Sequence, residues 1–391
     1  MDKERVEDSS QAKALTKEET VKKGGQTRLI VLALALALII PAGIYLSALF
    51  VPPCVEATAA TSSTYESRVR LKATGDIMLA RKVGRYMASE GIDYPVSNVA
   101  DFLSDADLTL GNLESPLSTK GTPLPGKGIW FRGNPKNVEA LLMCGFDLVA
   151  LANNHALDYD SPALLETVDV LDGAGIYHVG AGANEDAARE PVIKEINGIR
   201  IGFLSYSEMA DMYFSVTYPR RLRATEDLPG IASFHVDDVI EDMQELKDDT
   251  DIIILLLHWG TEYQDIPQDY QIEAAHKLID NGADIIIGHH PHCIQGVELY
   301  NGGLIAYSLG NFVFDQDWST KTKQGAVLSL EISPLSWTKA TIYPVSIEEG
   351  KASIATGTEA DDILSRMEDI SKPLGTAFSL DEQGLYMSVL P

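Results

Sequence analysis

The sequence predicts an α/β layered domain, and three observations carry that expectation. Apolar strand-like runs alternate with amphipathic helix-like stretches between about residues 69 and 345, the pattern of crossover connections in sheets covered by helices. Two Asn-Gly pairs, Asn197-Gly198 and Asn301-Gly302, are each flanked by apolar runs and predict tight hairpins that add antiparallel pairing. Polar side chains recur directly after the apolar runs, where open α/β sheets gather their ligand sites.

Residues 69–74 read as a strand ending at Gly75-Asp76, and 81–90 as a helix. The run 108–110 ends at Gly111-Asn112-Leu113-Glu114, and the apolar run 146–152 ends at Asn153-Asn154-His155. Pro162 suits the first turn of a helix over about 161–174, after which 177–179 re-enters the sheet. Residues 252–257 form a buried strand ending at His258-Trp259-Gly260, 269–281 an amphipathic helix, and 284–287 a strand leading into Gly288-His289-His290-Pro291-His292. The tail beyond about residue 346 carries one expected helix, near 359–367, and no recognisable chemistry.

Ahead of this domain, residues 1–28 are highly charged and poor in large apolar side chains, so they read as a flexible cytoplasmic tail. Residues 29–51 run without a charge, long enough as a helix to cross a hydrocarbon layer of about 30 Å; a kink at Pro41 is tolerated in such a span. Lys22, Lys23 and Arg28 precede the run and no Lys or Arg follows until Arg68, which places the N-terminus in the cytoplasm and the main domain outside. A cleaved signal peptide is the competing reading, given Ala57-Thr58-Ala59; the long charged leader and long apolar run favour a retained single-pass anchor. Pro52-Pro53 before Cys54 lacks the small residue expected before a lipidated cysteine. The expected organisation is therefore a tail (1–28), a transmembrane anchor (29–51), a linker (52–67) rich in Ala, Thr, Ser and Pro, an extracytoplasmic domain (68–345) and a C-terminal extension (346–391).

A net charge of −26 argues against nonspecific binding to nucleic acid or to an anionic membrane surface. Arg220, Arg221 and Arg223 form the densest basic patch and read as a solvated loop. Cys54, Cys144 and Cys293 are the only cysteines and give no disulfide framework, so the outer domain must be held by its own core. Cys293 beside the histidines reads as a packing residue.

Three of the eight histidines fall in one loop after the apolar run 285–287. His290 and His292 stand two apart, so in an extended backbone both imidazoles reach one side, at one metal centre or two adjacent ones. Asp76, Glu114, Asn154 with His155, His258, and His290 with His292 each follow an apolar strand. Singly each has a bland reading, such as a turn for Asp76, a surface carboxylate for Glu114, an Asx turn for Asn154 or a hydrogen-bonded core histidine for His258. Their joint recurrence at strand ends points instead to one crevice whose donors suit Zn²⁺, Mn²⁺ or Fe²⁺.

The ordered stretches Gly75-Asp76-Ile77-Met78, Gly111-Asn112-Leu113-Glu114, Ala152-Asn153-Asn154-His155, His258-Trp259-Gly260, His290-Pro291-His292 and Tyr307-Ser308-Leu309-Gly310-Asn311-Phe312 resemble the calcineurin-like metallophosphoesterases. More closely, they resemble the poly-γ-glutamate capsule-synthesis branch of that superfamily, the CapA/PgsA proteins, over nearly all of 69–345. The resemblance implies a layered sandwich of mixed sheets flanked by helices behind one N-terminal transmembrane helix. It implies that Asp76 binds a first metal, that Glu114 stands at the bridging position, and that Asn154 and His258 bind a second metal. His290 and His292 would divide between the two. His155 would act as acid or transition-state stabiliser, with Asp76 beside it at the catalytic centre, and Glu262 and Asn311 are candidate substrate contacts. Two departures stand out. Met78 occupies the place of the first motif's histidine, and Glu114 that of an aspartate. A thioether is a poor ligand for a hard ion, which predicts a weakened first site and either one tight ion or two of unequal affinity.

The function so implied is that of a membrane-anchored extracytoplasmic protein of poly-γ-glutamate synthesis or export. It would be a metal-dependent hydrolase or transferase working with other subunits of a polymer synthase complex. The alternative is a non-catalytic accessory subunit that binds or guides the polymer, and a more distant one is a cell-surface phosphoesterase. Because the polymer bears a carboxylate on every residue, metal ions could also hold it directly.

Overall fold

The structure, a computed structural model, describes residues 67–380 and 387–391. The expected tail, anchor and all but the last residue of the expected linker lie outside the described residues. Among the described residues, no helix is long and apolar enough to cross a membrane.

The chain first lays down four parallel strands, β1 (Val69–Ile77), β2 (Leu108–Leu113), β3 (Phe146–Ala150) and β4 (Tyr177–Val179). Between them run helices α1 (Arg81–Glu90), α2 (Ala100–Ser104), α3 (Val138–Met143) and α4 (Asp160–Ala174). After β5 (Ala181–Gly182) and α5 (Glu185–Arg189) a second sheet begins with the hairpin β6 (Val192–Ile196) and β7 (Ile199–Ser207). Then come β8 (Gly230–Ile231), which pairs with β5, α6 (Val236–Leu246), β9 (Ile252–His258), α7 (Asp269–Asp280) and β10 (Ile285–His289). The hairpin β11 (Val297–Tyr300) and β12 (Gly303–Ala306) completes that sheet in the order β11-β12-β10-β9-β7-β6. The chain then returns to the first sheet. There β13 (Asn311–Val313) lies parallel to β1, followed by antiparallel β14 (Gln324–Ser333), β15 (Ser336–Glu348) and β16 (Lys351–Ile354). Both Asn-Gly pairs are hairpin turns with positive φ at both residues, 53° and 79° at Asn197-Gly198 and 47° and 85° at Asn301-Gly302, as the twist of two-residue hairpins requires.

Alternation along β9 shows how the layers stack. Ile252, Ile254 and Leu256 face the first sheet, meeting Leu71, Ala73, Leu110 and Leu328 in one core. Ile253, Leu255 and Leu257 point the other way and pack with Val239, Met243, Ala275 and Leu278 of α6 and α7. A third core lies between the first sheet and α1–α4, including Val83, Leu103, Leu141 and Leu164. The result is a four-layered α/β/β/α sandwich, with β9 buried on both faces as its unbroken apolar sequence requires.

The tail beyond residue 345 belongs to the same body. β15 continues to Glu348, and α8 (Thr358–Ser371) inserts Ile363, Leu364 and Met367 into the core between the sheets. Arg220, Arg221 and Arg223 are not an open basic patch: Arg220 lies 3.5 Å from Asp160, and Arg221 and Arg223 pair with Asp211 at 3.7 and 3.1 Å. Cys144 and Cys293 are buried free thiols, and burial pushes each up to about 12.

Gly75 lets β13 approach β1. Asp76 N–H donates to Gly310 O at 2.9 Å, and a Cβ on residue 75 would fall 1.9 Å from that same oxygen. Gly75→Ala is therefore expected to destabilise the protein by about 1–3 kcal/mol, read as a lower urea midpoint. Gly173→Ala, in α4 with nothing near its Cβ position, should raise the midpoint, since alanine is the better helix former by about 0.5–1 kcal/mol.

Candidate metal centre

The carboxyl ends of β1, β2, β9 and β10 converge at one end of the sandwich. Asp76 is the penultimate residue of β1, at an irregularity in its register with β2 and β13. Glu114 follows β2 directly, its N–H donating to Ile77 O at 2.8 Å. His258 closes β9 and His289 closes β10. The sequence reading places His290 and His292 on one side of an extended backbone; they lie instead beyond the strand with φ of 99° and 54°. Positive φ is unfavourable for residues with a Cβ and persists only where the surroundings hold it. Here His290 N–H donates to Asp76 Oδ2 at 3.2 Å, and Tyr263 N–H to Pro291 O at 2.8 Å.

Two sets of ligating atoms result. Those of Asp76, Glu114 and His292 lie within 4.8 Å of one another, as do those of Glu114, His258 and His290. Glu114 belongs to both, 3.7 Å from His292 Nε2 and 4.0 Å from His258 Nε2. Asn154 Oδ1 lies 3.1 Å from His258 Nε2 and so borders the second set. Glu114 is fully buried, yet neither carboxylate oxygen has a hydrogen-bond partner, and His290 Nδ1 lacks one too. A buried carboxylate left this way is unfavourable by several kcal/mol or more (on the order of the desolvation cost). Carboxylate oxygens and imidazoles turned toward one point fit a divalent cation, so these buried groups could bind a metal ion. Met78 takes no part: its sulfur accepts from Ala80 N–H at 3.2 Å and its side chain packs in the core under α1–α4. Both donor sets are formed from the other side chains.

The electrostatics tie His292 to the two buried carboxylates. Burial disfavours the His292 imidazolium, but the Glu114 charge, the hydrogen bond to Asp76 and the charges of Asp76 and Glu262 outweigh it and raise His292 to about 9. Burial pushes the Glu114 carboxyl well above its ordinary range. Burial acts upward on Asp76 too, yet the hydrogen bond with His292 and the charges of His289 and His292 hold it below its ordinary value. His290 is lowered to about 3 by burial and by His292. Burial likewise takes His258 well below its usual value. The metal-free cluster thus keeps a proton on His292, where a divalent ion would otherwise supply the charge.

Further side chains orient this centre. Asn112 Nδ2 donates to Asp76 Oδ1 at 2.8 Å, and Asn153 Nδ2 donates to Asn112 Oδ1 at 3.0 Å. Asn311, expected as a substrate contact, does something else. It is fully buried; its Oδ1 accepts from His292 Nδ1 at 2.9 Å, and its Nδ2 is taken up by Gln316 Oε1 and Thr322 O. It therefore orients His292 so that Nε2 faces Glu114, the usual supporting arrangement for a ligating histidine. His289 turns away to Thr74 O at 3.2 Å. His155 Nδ1 lies 2.7 Å from Asp158 Oδ2, Lys127 bonds Asp158 and Asn154 O, and the Phe131 ring stacks on His155 at 3.7 Å. Burial lowers His155 to about 4, against the opposing charge of Asp158. Sequence reasoning missed Asn112, Lys127 and Asp158. Asn112 stood within a quoted stretch and Asp158 three residues after His155, whereas nothing around Lys127 marked it.

Fold and crevice define a class: an α/β/β/α domain with a buried carboxylate–imidazole–amide centre at its strand ends. A family model for the bacterial capsule synthesis protein PGA_cap matches residues 70–316, a span that contains the whole centre, and the chain belongs to that family. It is 32% identical over 308 residues to capsule biosynthesis protein CapA of Bacillus anthracis, covering 77% of this chain and 73% of that one. It is also 32% identical over 277 residues to the PGA biosynthesis protein CapA of Bacillus subtilis, covering 70% of each. A probable polyglutamine synthesis accessory protein of Mycobacterium tuberculosis is 29% identical over 320 residues, covering 78% of this chain and 83% of its own. A crystal structure of a hypothetical protein from Thermus thermophilus has a TM-score of 0.45 at 15% identity, over 71% of this chain and 100% of that one.

Metal uptake must expel the His292 proton, so calorimetry with Mn²⁺ in buffers of different ionisation enthalpy should show proton release, with affinity rising as pH climbs toward 9. The same group sets a stability trend. With its folded pKa raised to about 9 from 6.5, His292 stabilises the metal-free protein fully below 6.5, and that contribution fades as pH rises through 9. Thermal melts of metal-free protein should therefore fall over this window; a flat profile and no proton release would contradict the assignment.

Proposed function

We propose that this protein is a membrane-anchored, extracytoplasmic metal-dependent hydrolase or transferase acting on poly-γ-glutamate, built on a metallophosphoesterase-like scaffold and holding two divalent ions. The observation that carries the reading is Glu114, a buried carboxylate without a hydrogen-bond donor, common to two three-residue groups of ligating atoms. Asp76 and His292 would hold one ion, His258, His290 and Asn154 the other, with Glu114 between them; Mn²⁺, Zn²⁺ and Fe²⁺ all suit these donors. When bound, such ions polarise a carbonyl or phosphoryl oxygen and make water a better nucleophile. His155 supplies proton transfer: Asp158 fixes Nδ1, leaving Nε2 for the reacting group. Being neutral near pH 7, His155 would take a proton from the attacking water and pass it to the leaving group.

The polymer reading rests on the named functions of the relatives and on charge. Basic side chains near the mouth are already engaged: Arg81 with Asp315, Lys82 with Asp317, Lys127 with Asp158 and Lys321 with Asp265. Attraction for a carboxylate-rich chain would then come from the bound ions. The uncharged run 29–51 would anchor the domain outside the membrane, beside other subunits of a polymer synthase.

A second reading, an accessory subunit that binds polymer without turning it over, is favoured by the accessory role named for the mycobacterial relative. Two variants separate the readings. His290→Ala should lose bound metal and polymer output in cells. His155→Ala should keep its metal yet lose at least tenfold in output and in release of γ-glutamyl fragments in vitro, on the scale of proton-transfer catalysis, about 10²–10⁴. Full output from His155→Ala with metal retained would favour the accessory reading, and full output from His290→Ala would reject the site.

A further inference from the structure

At the mouth of the crevice stands a group of side chains that the metal centre does not use. The segment after β9 carries Glu262 and Tyr263, and Tyr263 has φ of 65°, a strained value for a bulky residue. Its N–H is tied to Pro291 O, in the histidine loop. The Tyr263 ring lies 6.2 Å from His292 and meets Trp318 edge-on at 5.8 Å. Both rings are open to solvent, Trp318 at 64% and Tyr263 at 39%. The Tyr263 hydroxyl accepts from Gln316 Nε2 at 3.4 Å, whereas Trp318 holds its ring in solvent against Tyr263.

Glu262 completes the group. Among the described residues it forms no ion pair with a basic side chain, whereas the neighbouring acids Asp265, Asp315 and Asp317 are matched to Lys321, Arg81 and Lys82. Its charge acts on Glu114 and His292. Its carboxylate accepts from the Tyr263 hydroxyl and, among the described residues, has no cation beside it; such a carboxylate repels the polymer's free α-carboxylates and would weaken binding all along the chain. At one place the polymer is cationic: its amino-terminal residue bears an ammonium group. Aromatic faces and a carboxylate are the surroundings that attract an ammonium.

We propose that Glu262, Tyr263 and Trp318 form a subsite for a primary ammonium group, so that the site engages the free amino end of a γ-glutamyl chain while the metal centre holds its carboxylates or reacting carbonyl. This deepens the polymer reading and rests on it. The crevice would then be an end-reading site, drawing the chain in by its one cationic terminus.

The test uses full-length protein in detergent, loaded with Mn²⁺, and two probes: a γ-linked glutamate hexamer with a free amino terminus and the same hexamer N-acetylated. Wild type should bind the free hexamer about tenfold tighter. Glu262→Gln and Trp318→Ala should bring that ratio to near one, while metal content and affinity for the acetylated hexamer hold. Equal binding of both probes by wild type overturns the subsite and leaves the polymer reading standing. Binding of neither overturns both. Loss of an ion from Glu262→Gln would make Glu262 a metal ligand and end the proposal.

Discussion

Both oxygens of Glu114 sit inside the protein without a hydrogen-bond donor, and the crevice is organised around that buried carboxylate, which burial drives toward its neutral form. Inside a protein a carboxylate must be neutralised, hydrogen-bonded or paired with a cation. Hydrogen bonding and pairing are visible nearby: Asp76 is bonded to Asn112 and His290, and Asp158 to His155, Lys127 and Phe131. Glu114 accepts no such hydrogen bond; the nearest imidazole nitrogens to it are His292 Nε2 at 3.7 Å and His258 Nε2 at 4.0 Å. Its neighbours reflect this, with His292 drawn up to about 9 as the nearest substitute for a fixed positive charge.

The scaffold explains how five segments distant in sequence reach Glu114. Parallel strands end together, and the strand-end residues therefore share a crevice. Close backbone approaches then hold neighbouring strands tightly together within each sheet at that end. Gly75 sits against Gly310 O, and Gly288 against Tyr307 O, each where a Cβ would fall at 1.9 Å. The first brings Asn311 alongside Asp76, and so sets the residue that orients His292. The strained backbone at His290 and His292 is sustained by this packing, a local expense met by the rigidity of four layers.

Much of this was legible in the sequence because it follows from periodicity and position. Strands, both hairpins and the helix 81–90 came from apolar patterning and turn chemistry, and Asp76, Glu114, Asn154, His258, His290 and His292 from their places after strands. What escaped notice depends on contacts that pattern does not encode. The convergence of His290 and His292 comes from positive φ rather than strand alternation. Asn311 reads as a polar residue in a loop until the structure places its oxygen on His292. Lys127 is drawn to Asp158 by a fold-wide proximity that no local spacing announces. The tail after residue 345 carried its message in Ile363, Leu364 and Met367, a helical stripe that needed a core to face.

Sharing of one carboxylate between two ligand sets makes a stringent demand on stoichiometry. Metal content per chain should be measured on wild type and Glu114→Gln after loading and gel filtration, with folding checked by thermal melting. The account predicts two ions in wild type and none retained by Glu114→Gln. A Glu114→Gln protein that keeps the wild-type metal content would contradict it.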